Sequence, residues 1–268
     1  MTRLSNQAMQ NIATRFVEAR KFGQSLVDYP GVIPADLESA YRIQDLAIDL
    51  WPESIAGWKV ARISPALEDE LGSDRLAGPV FNKGIAWAES GETPDMPIFV
   101  DGFAAVEAEF MAIIDSDAPA DKLTWSQDEA LAMIGDLRIG LEIAGGPLPT
   151  INQLGPAAVI SFFGNNTGLV VGPAITDWRS RTLESLKNTT AVDGEEVGSG
   201  GAFNLSGGFV RSVQFLLELT AQRKRPLRAG DVIATGQTNG VHALTAGRIS
   251  MTDFGDDGQV GVRPVAIS

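Results

Sequence analysis

The run FAAVEAEFMAII, residues 103–114, holds two glutamates one residue apart in an otherwise apolar stretch. Alternate residues of a strand point to the same face, so Glu107 and Glu109 would point together, with Ala105, Met111 and Ile113 beside them. An ionised carboxylate is costly to bury without a partner. An outward-facing edge strand would avoid that cost, but Met111 and Ile113 continuing the same face argue against it. The remaining reading is a hard-cation site, because Mg2+ and Mn2+ take oxygen ligands and a cation relieves the repulsion between neighbouring carboxylates. A retaining-glycosidase pair fits less well, since one short strand offers no way to place two carboxylates on opposite sides of a sugar.

Two further charges sit in similar surroundings. Glu142 lies in IGLEIA (139–144), and with the first two it supplies three oxygens, leaving about three octahedral positions for water or substrate. Lys59 lies in GWKVARI (57–63), either as a lysine whose stem packs on a strand or as a cation that fixes a substrate carboxylate or moves a proton. Thr167 in NNTG and Thr235 in TGQTNG are candidate polar walls of a substrate pocket. GSGGAFNLSGGF (198–209) has neither GxGxxG after a strand nor GxxxxGK[ST], so it reads as tight turns, not a nucleotide cradle. His242 reads as an ordinary loop or strand-edge residue.

These charges need a framework. The 268 residues are 44% apolar and 21% charged, ordinary values for a globular protein with a sizeable core. With no cysteine there is no thiolate zinc site, disulfide or Cys nucleophile, and one histidine leaves no His-rich site. A net charge of −13 argues against nucleic acid or anionic lipid as partner. No apolar window reaches membrane-spanning length and the N-terminus does not read as a secretory signal, so a cytoplasmic protein is expected.

Apolar spacing predicts helices over 5–22 and 34–50, a helical N-terminal region of 1–55 ahead of a sheet-rich body of 56–268. Strands are expected at 57–63, 96–100, 104–114, 139–144 and 168–172, with a hairpin in AVDGEEV (191–197) turning at Asp193-Gly194. SQDE (126–129) is a capping box expected to start a helix reaching Leu137. Another helix is expected over 209–222, then a turn and strand in LRAGDVIATG (227–236). The mixed order, without regular βαβ alternation, indicates α+β.

The ordered set GWKV, EAE, LEI after a capped helix, DGEEVGSG, a long helix and LRAGDVIATG resembles the 2-oxopent-4-enoate hydratase and 4-oxalocrotonate decarboxylase group of the fumarylacetoacetate hydrolase superfamily, from about residue 30 onward. The resemblance implies a mixed β-roll with surrounding helices and Mg2+ or Mn2+ on Glu107, Glu109 and Glu142. It also implies a 2-oxo or 2-hydroxydienoate substrate chelating that metal, Lys59 as active-site lysine, and a homo-oligomer. The expected reaction is hydration of 2-hydroxypenta-2,4-dienoate to 4-hydroxy-2-oxopentanoate in aromatic catabolism. Alternatives are decarboxylation of a vinylogous 2-oxo diacid, C–C hydrolysis of an acylpyruvate, or a non-catalytic family-like subunit. Relatives carry an aspartate in the segment written here GPVFNKG (78–84), and the register puts Lys83 at or next to it. That makes Lys83 a catalytic candidate, or the mark of a substrate with a second carboxylate.

Overall fold

The computed structural model describes residues 4–267. In chain order the elements are α1 (Asn6–Lys21), α2 (Leu37–Leu50), β1 (Ile55–Arg62), α3 (Pro65–Leu71), β2 (Arg75–Phe81), β3 (Ile85–Trp87), β4 (Asp95–Ile98), β5 (Phe103–Ile114), α4 (Gln127–Ala132), β6 (Ile134–Gly146), α5 (Pro156–Ser161), β7 (Asn166–Ala174), β8 (Lys187–Val192), β9 (Glu195–Gly201), α6 (Gly208–Gln222), β10 (Val232–Ala234), β11 (Val241–Ala243), β12 (Ser250–Asp253) and β13 (Gln259–Ala266). This is the expected α+β architecture.

Local chemistry explains the element ends. Ser5 caps α1 by accepting from Ala8 N–H, and Asp36 caps α2 by accepting from Ser39 N–H. The second helix therefore starts at Leu37, later than the apolar spacing alone suggested. Asp193 and Gly194 both take positive φ, 50° and 83°, the conformation that joins β8 to β9 in a two-residue hairpin. The Ser126–Glu129 capping box forms, but α4 ends at Ala132 and β6 begins at Ile134. The expected continuation to Leu137 fails because Leu137, Ile139, Leu141 and Ile143 alternate with period two and all enter the core, a strand pattern.

Eight strands form one mixed sheet in the order β2-β1-β10-β5-β6-β7-β3, with β11 also on β5, and five form a second, β4-β13-β12-β8-β9. The large sheet is curled. Val80 of β2 and Ile85 of β3 come from opposite ends of the strand order, yet both join Met111, Leu169, Val171, Val232 and Ala234 in one small buried cluster. On the outer face Val106, Ala108, Phe110 and Ala112 of β5 belong to the main core, which Ile12 and Phe16 of α1 and Ile43 of α2 share with Trp58 and Phe162. Strand β5 is thus apolar on both faces, except where Glu107 and Glu109 interrupt its inner one.

Candidate metal centre

Strand periodicity puts the acidic residues on that inner face. Along β5 the inward positions are Glu107, Glu109, Met111 and Ile113, so the carboxylates stand directly above the inner apolar cluster. Glu142 of β6 lies opposite Glu107 in the antiparallel register, and Glu109 lies opposite Gly140. One carboxylate oxygen from each of Glu107, Glu109 and Glu142 is within 4.8 Å of the others. Oxygens bound to a common ion at about 2.1–2.5 Å are at most roughly 4–5 Å apart, so the triad has the scale of a single divalent site.

All three are buried, Glu109 and Glu142 completely. Glu109 accepts from the Gly236 N–H through Oε2 at 2.7 Å, and its Oε1 has no partner. Glu142 accepts through Oε1 from Asn166 Nδ2 at 3.0 Å and lies 3.2 Å from Lys59 Nζ through the same atom, while its Oε2 has no partner. Two orphaned carboxylate oxygens in a buried acidic cluster are what a hard divalent cation would satisfy. The donor set fits the ion.

The electrostatics agree. Burial pushes the Glu107 carboxyl up to about 7, with Glu142 adding to the shift and Lys59 opposing it. Burial, then Glu142 and Glu107, hold Glu109 well above its ordinary value. For Lys59, burial alone would lower the ammonium pKa, but the charges of Glu142, Glu107 and Glu109 outweigh it and the value ends above normal. Lys59 is therefore a firmly charged donor.

A cavity of about 500 Å³ opens onto this centre and is lined by Lys59, Glu107, Asn165, Thr235, Gly236 and Gln237 among others. Thr235 lines it, with its hydroxyl donating to the Phe110 carbonyl at 2.8 Å. Thr167 does not. Its hydroxyl donates to the Ile143 carbonyl, and the residue borders a separate shallow depression with Arg20 and Lys83. The reason is a register shift between β6 and β7: Glu142 pairs with Leu169 but Ala144 pairs with Asn166, so Asn166 takes the inner position that regular alternation gives to Thr167.

Lys83 is also placed elsewhere. β2 ends at Phe81, and a single 3-10 turn, Asn82–Gly84, carries Lys83 to the surface, where its side chain is 79% exposed and its Nζ lies 3.8 Å from Glu53. Opposite Lys59 across β1 and β2 stands Gly78. A Cβ there would come within 2.1 Å of the Phe163 carbonyl oxygen, so that position admits no side chain, acidic or basic.

Asn166 and the Gly236 amide escaped the sequence reading. So did Arg20, which is half-buried over the Trp51, Phe81 and Phe163 rings and donates to the Asn166 carbonyl at 2.6 Å. The only signal for Asn166 was its place in NNTG, which alternation misassigned. A backbone amide leaves no signal at all.

Residues 74–263 match the fumarylacetoacetate (FAA) hydrolase C-terminal family. The chain is 26% identical over 248 residues to a 2-keto-4-pentenoate hydratase of Burkholderia vietnamiensis strain G4, covering 90% of this chain and 91% of that protein. It is 24% identical over 261 residues to the TodF product hydratase of Pseudomonas putida strain F1, covering 85% of each. Among solved structures, 4-oxalocrotonate decarboxylase from Pseudomonas putida G7, complexed with magnesium and adipate, has a TM-score of 0.80 at 18% identity over 98% of this chain and 100% of that one. Fumarylpyruvate hydrolase from Pseudomonas aeruginosa, in complex with Mn2+ and pyruvate, has a TM-score of 0.57 at 17% identity over 78% of this chain and 89% of that one. These two likenesses concern the fold. The family match spans most of the chain and includes all three inward-facing glutamates, and the chain belongs to the fumarylacetoacetate hydrolase family.

Proposed function

We propose that this chain is a divalent-metal-dependent hydro-lyase that hydrates 2-hydroxypenta-2,4-dienoate to 4-hydroxy-2-oxopentanoate, with Mg2+ or Mn2+ held by Glu107, Glu109 and Glu142. The observation that carries the reading is the buried acidic triad with Lys59 beside it, reached by a cavity. The hydratase names of the curated relatives, aligned over about nine-tenths of the chain in the stronger case, support the choice of reaction. In the balanced reaction the enol O–H proton is given up, C4 gains the hydroxyl of water, and C3 and C5 each gain a proton. A divalent ion held by Glu107, Glu109 and Glu142 would supply stabilisation for the negative charge that builds on the substrate's 2-oxygen.

The chain's own groups take the other parts. Lys59 has three N–H donors, of which Glu142 engages one, so the rest can fix the substrate carboxylate or pass a proton to the carbon chain. Asn166 and Lys59, both on Oε1, hold Glu142 so that Oε2 stays free. The Gly236 amide does the same for Glu109, leaving Oε1 free. The apolar cluster beneath the triad keeps water from the lower side of the site.

A second reading, decarboxylation of a 2-oxo diacid, draws on Arg62 and Arg75. They pair across β1 and β2 three residues beyond the Lys59–Gly78 pair, about 10 Å along the strands, and both line the cavity, where they suit a second carboxylate. An ultraviolet assay of a dienoate panel with Mg2+ or Mn2+ decides. Dienoate consumption giving the 4-hydroxy-2-oxo acid without CO2 supports hydration, and stoichiometric CO2 release overturns it. Absence of turnover on the whole panel leaves the non-catalytic alternative. The proposal includes a symmetric homo-oligomer, a common state for soluble proteins, checked by light scattering.

A further inference from the structure

We propose that Arg20 is a positioning residue for the metal centre, gripping the backbone of Asn166 from outside the site so that the Asn166 amide keeps Glu142 in place. The inference rests on the reading of the triad as a metal site and is independent of which reaction that site runs. Arg20 lies in the last turn of α1, ahead of the residues 74–263 that match the family. It borders the shallow depression with Thr167 and Lys83, not the cavity lined by Lys59 and Glu107. Its effect on the triad therefore passes through the groups it binds.

Those groups lead to the triad in two steps. Arg20 Nη1 donates to the Asn166 carbonyl at 2.6 Å and Nη2 to the Thr167 carbonyl at 3.4 Å. A guanidinium fork spans two successive carbonyls in a way that a single ammonium does not. Asn166 Nδ2 then donates to Glu142 Oε1 at 3.0 Å. The same Nδ2 faces the Gly168 carbonyl at 3.4 Å, so two acceptors fix which end of the amide points at Glu142.

The segment that presents Asn166 needs such a grip. Phe163, Gly164 and Asn165 take successive positive φ values of 47°, 71° and 58°, a left-handed run with two residues that are not glycine. Asn166 follows at once, where the β6–β7 pairing shifts between Ile143 and Ala144. Relaxing the run to regular strand would return the inner position to Thr167 and take the amide away from Glu142. Arg20 holds the run at both ends, its guanidinium 5.2 Å from the Phe163 ring centroid and bonded to the two carbonyls that follow. Gly164, in the middle, packs on Lys59, with a Cβ placed there only 3.1 Å from Lys59 Cδ. The turn thus supports both members of the Lys59–Glu142 pair.

A guanidinium over Trp51, Phe81 and Phe163 also stabilises the fold simply by packing. A double-mutant cycle separates the two roles. It comprises the parent, Arg20→Met, Asn166→Ala and the double variant, with Mn2+ affinity read by titration calorimetry and melting temperature read without metal. Methionine keeps an apolar stem over the rings and removes both donors. Asn166→Ala is expected to weaken Mn2+ binding about 10-fold or more, the usual loss when a partner of a metal ligand is removed. Arg20→Met is expected to weaken it by about three- to tenfold, and to weaken it no further once Asn166 is alanine, while its loss of melting temperature persists in both backgrounds.

Unchanged Mn2+ affinity in Arg20→Met with a lowered melting temperature, or the same fold-loss whether or not Asn166 is present, overturns the assignment. Should Arg20→Met not fold, Arg20→Lys takes its place in the cycle. Lysine reaches one carbonyl but not both, so a loss of about two- to threefold confined to the Asn166 background is expected, and unchanged affinity overturns the assignment there too. A parent that binds no Mn2+ removes the metal-site reading itself, which is distinguishable from a parent that binds the ion and is matched by its variant.

Discussion

Glu107 stands directly opposite Glu142 across the β5–β6 pair, two buried carboxylates facing each other inside a curled sheet. Their nearest oxygens lie within 4.8 Å; at that limit and an effective dielectric near 20, two like charges repel by roughly 3 kcal/mol, more than a surface ion pair returns. The metal-free fold is therefore opposed by its own site.

The first prediction follows from that opposition. A carboxyl raised to about 7 from an unfolded value of 4.5 favours folding while protonated, so Glu107 makes the metal-free protein lose stability as pH climbs through that interval. A divalent ion binds the ionised form and reverses the loss. Millimolar Mg2+ or Mn2+ is expected to raise the melting temperature more at pH 8 than at pH 6, read by scanning calorimetry. Equal shifts at the two pH values, or none, would count against the triad as a metal site.

Neutralising the triad separates stability from function. The double variant Glu107→Gln/Glu109→Gln removes two charges but keeps hydrogen-bonding side chains of the same length. Its metal-free form is expected to melt at or above the parent, because repulsion is relieved. Mn2+ binding, followed by titration calorimetry, should be lost, and activity should fall by about a thousandfold or more, since metal stabilisation is worth several kcal/mol. Parental turnover in this variant would end the metal-catalysis reading.

Lys59→Met tests the cation. Breaking a buried ion pair leaves Glu142 without its charged partner, a loss of about 3–5 kcal/mol in the metal-free protein. The site becomes more negative, so Mn2+ should bind at least as tightly as before while turnover collapses. Weakened Mn2+ binding would instead mean that Lys59 serves mainly to shape the triad.

Gly78→Ala and Lys83→Ala contrast two residues of one sequence segment. The alanine Cβ at 78 meets the Phe163 carbonyl oxygen at a distance no contact tolerates, so a loss of about 1–3 kcal/mol or more is expected in denaturant unfolding, along with reduced activity. Lys83 is exposed, its only ion pair the 3.8 Å contact with Glu53 among the described residues, and its removal should change stability by less than about 0.5 kcal/mol and leave turnover within about twofold. A large effect at Lys83 and none at Gly78 would mean that β2 runs differently from its described register.

Much of this protein was legible in its sequence. Period-two alternation put Glu107 and Glu109 on one face, the capping box located the start of α4, and Asp193-Gly194 fixed a hairpin, because each depends only on neighbours along the chain. Composition and charge narrowed the chemistry to carboxylates, lysine and a metal. The tertiary structure decided what depends on pairing between distant strands. Only the β5–β6 register sets Glu142 against Glu107, and only the shift between β6 and β7 gives Asn166, not Thr167, the place beside Glu142. The turn after β2 takes Lys83 away from Lys59, and the curl of the sheet makes an interior that the two ends of the strand order share. A one-residue change of register reverses every side chain beyond it, and periodicity along one strand carries no information about its partner.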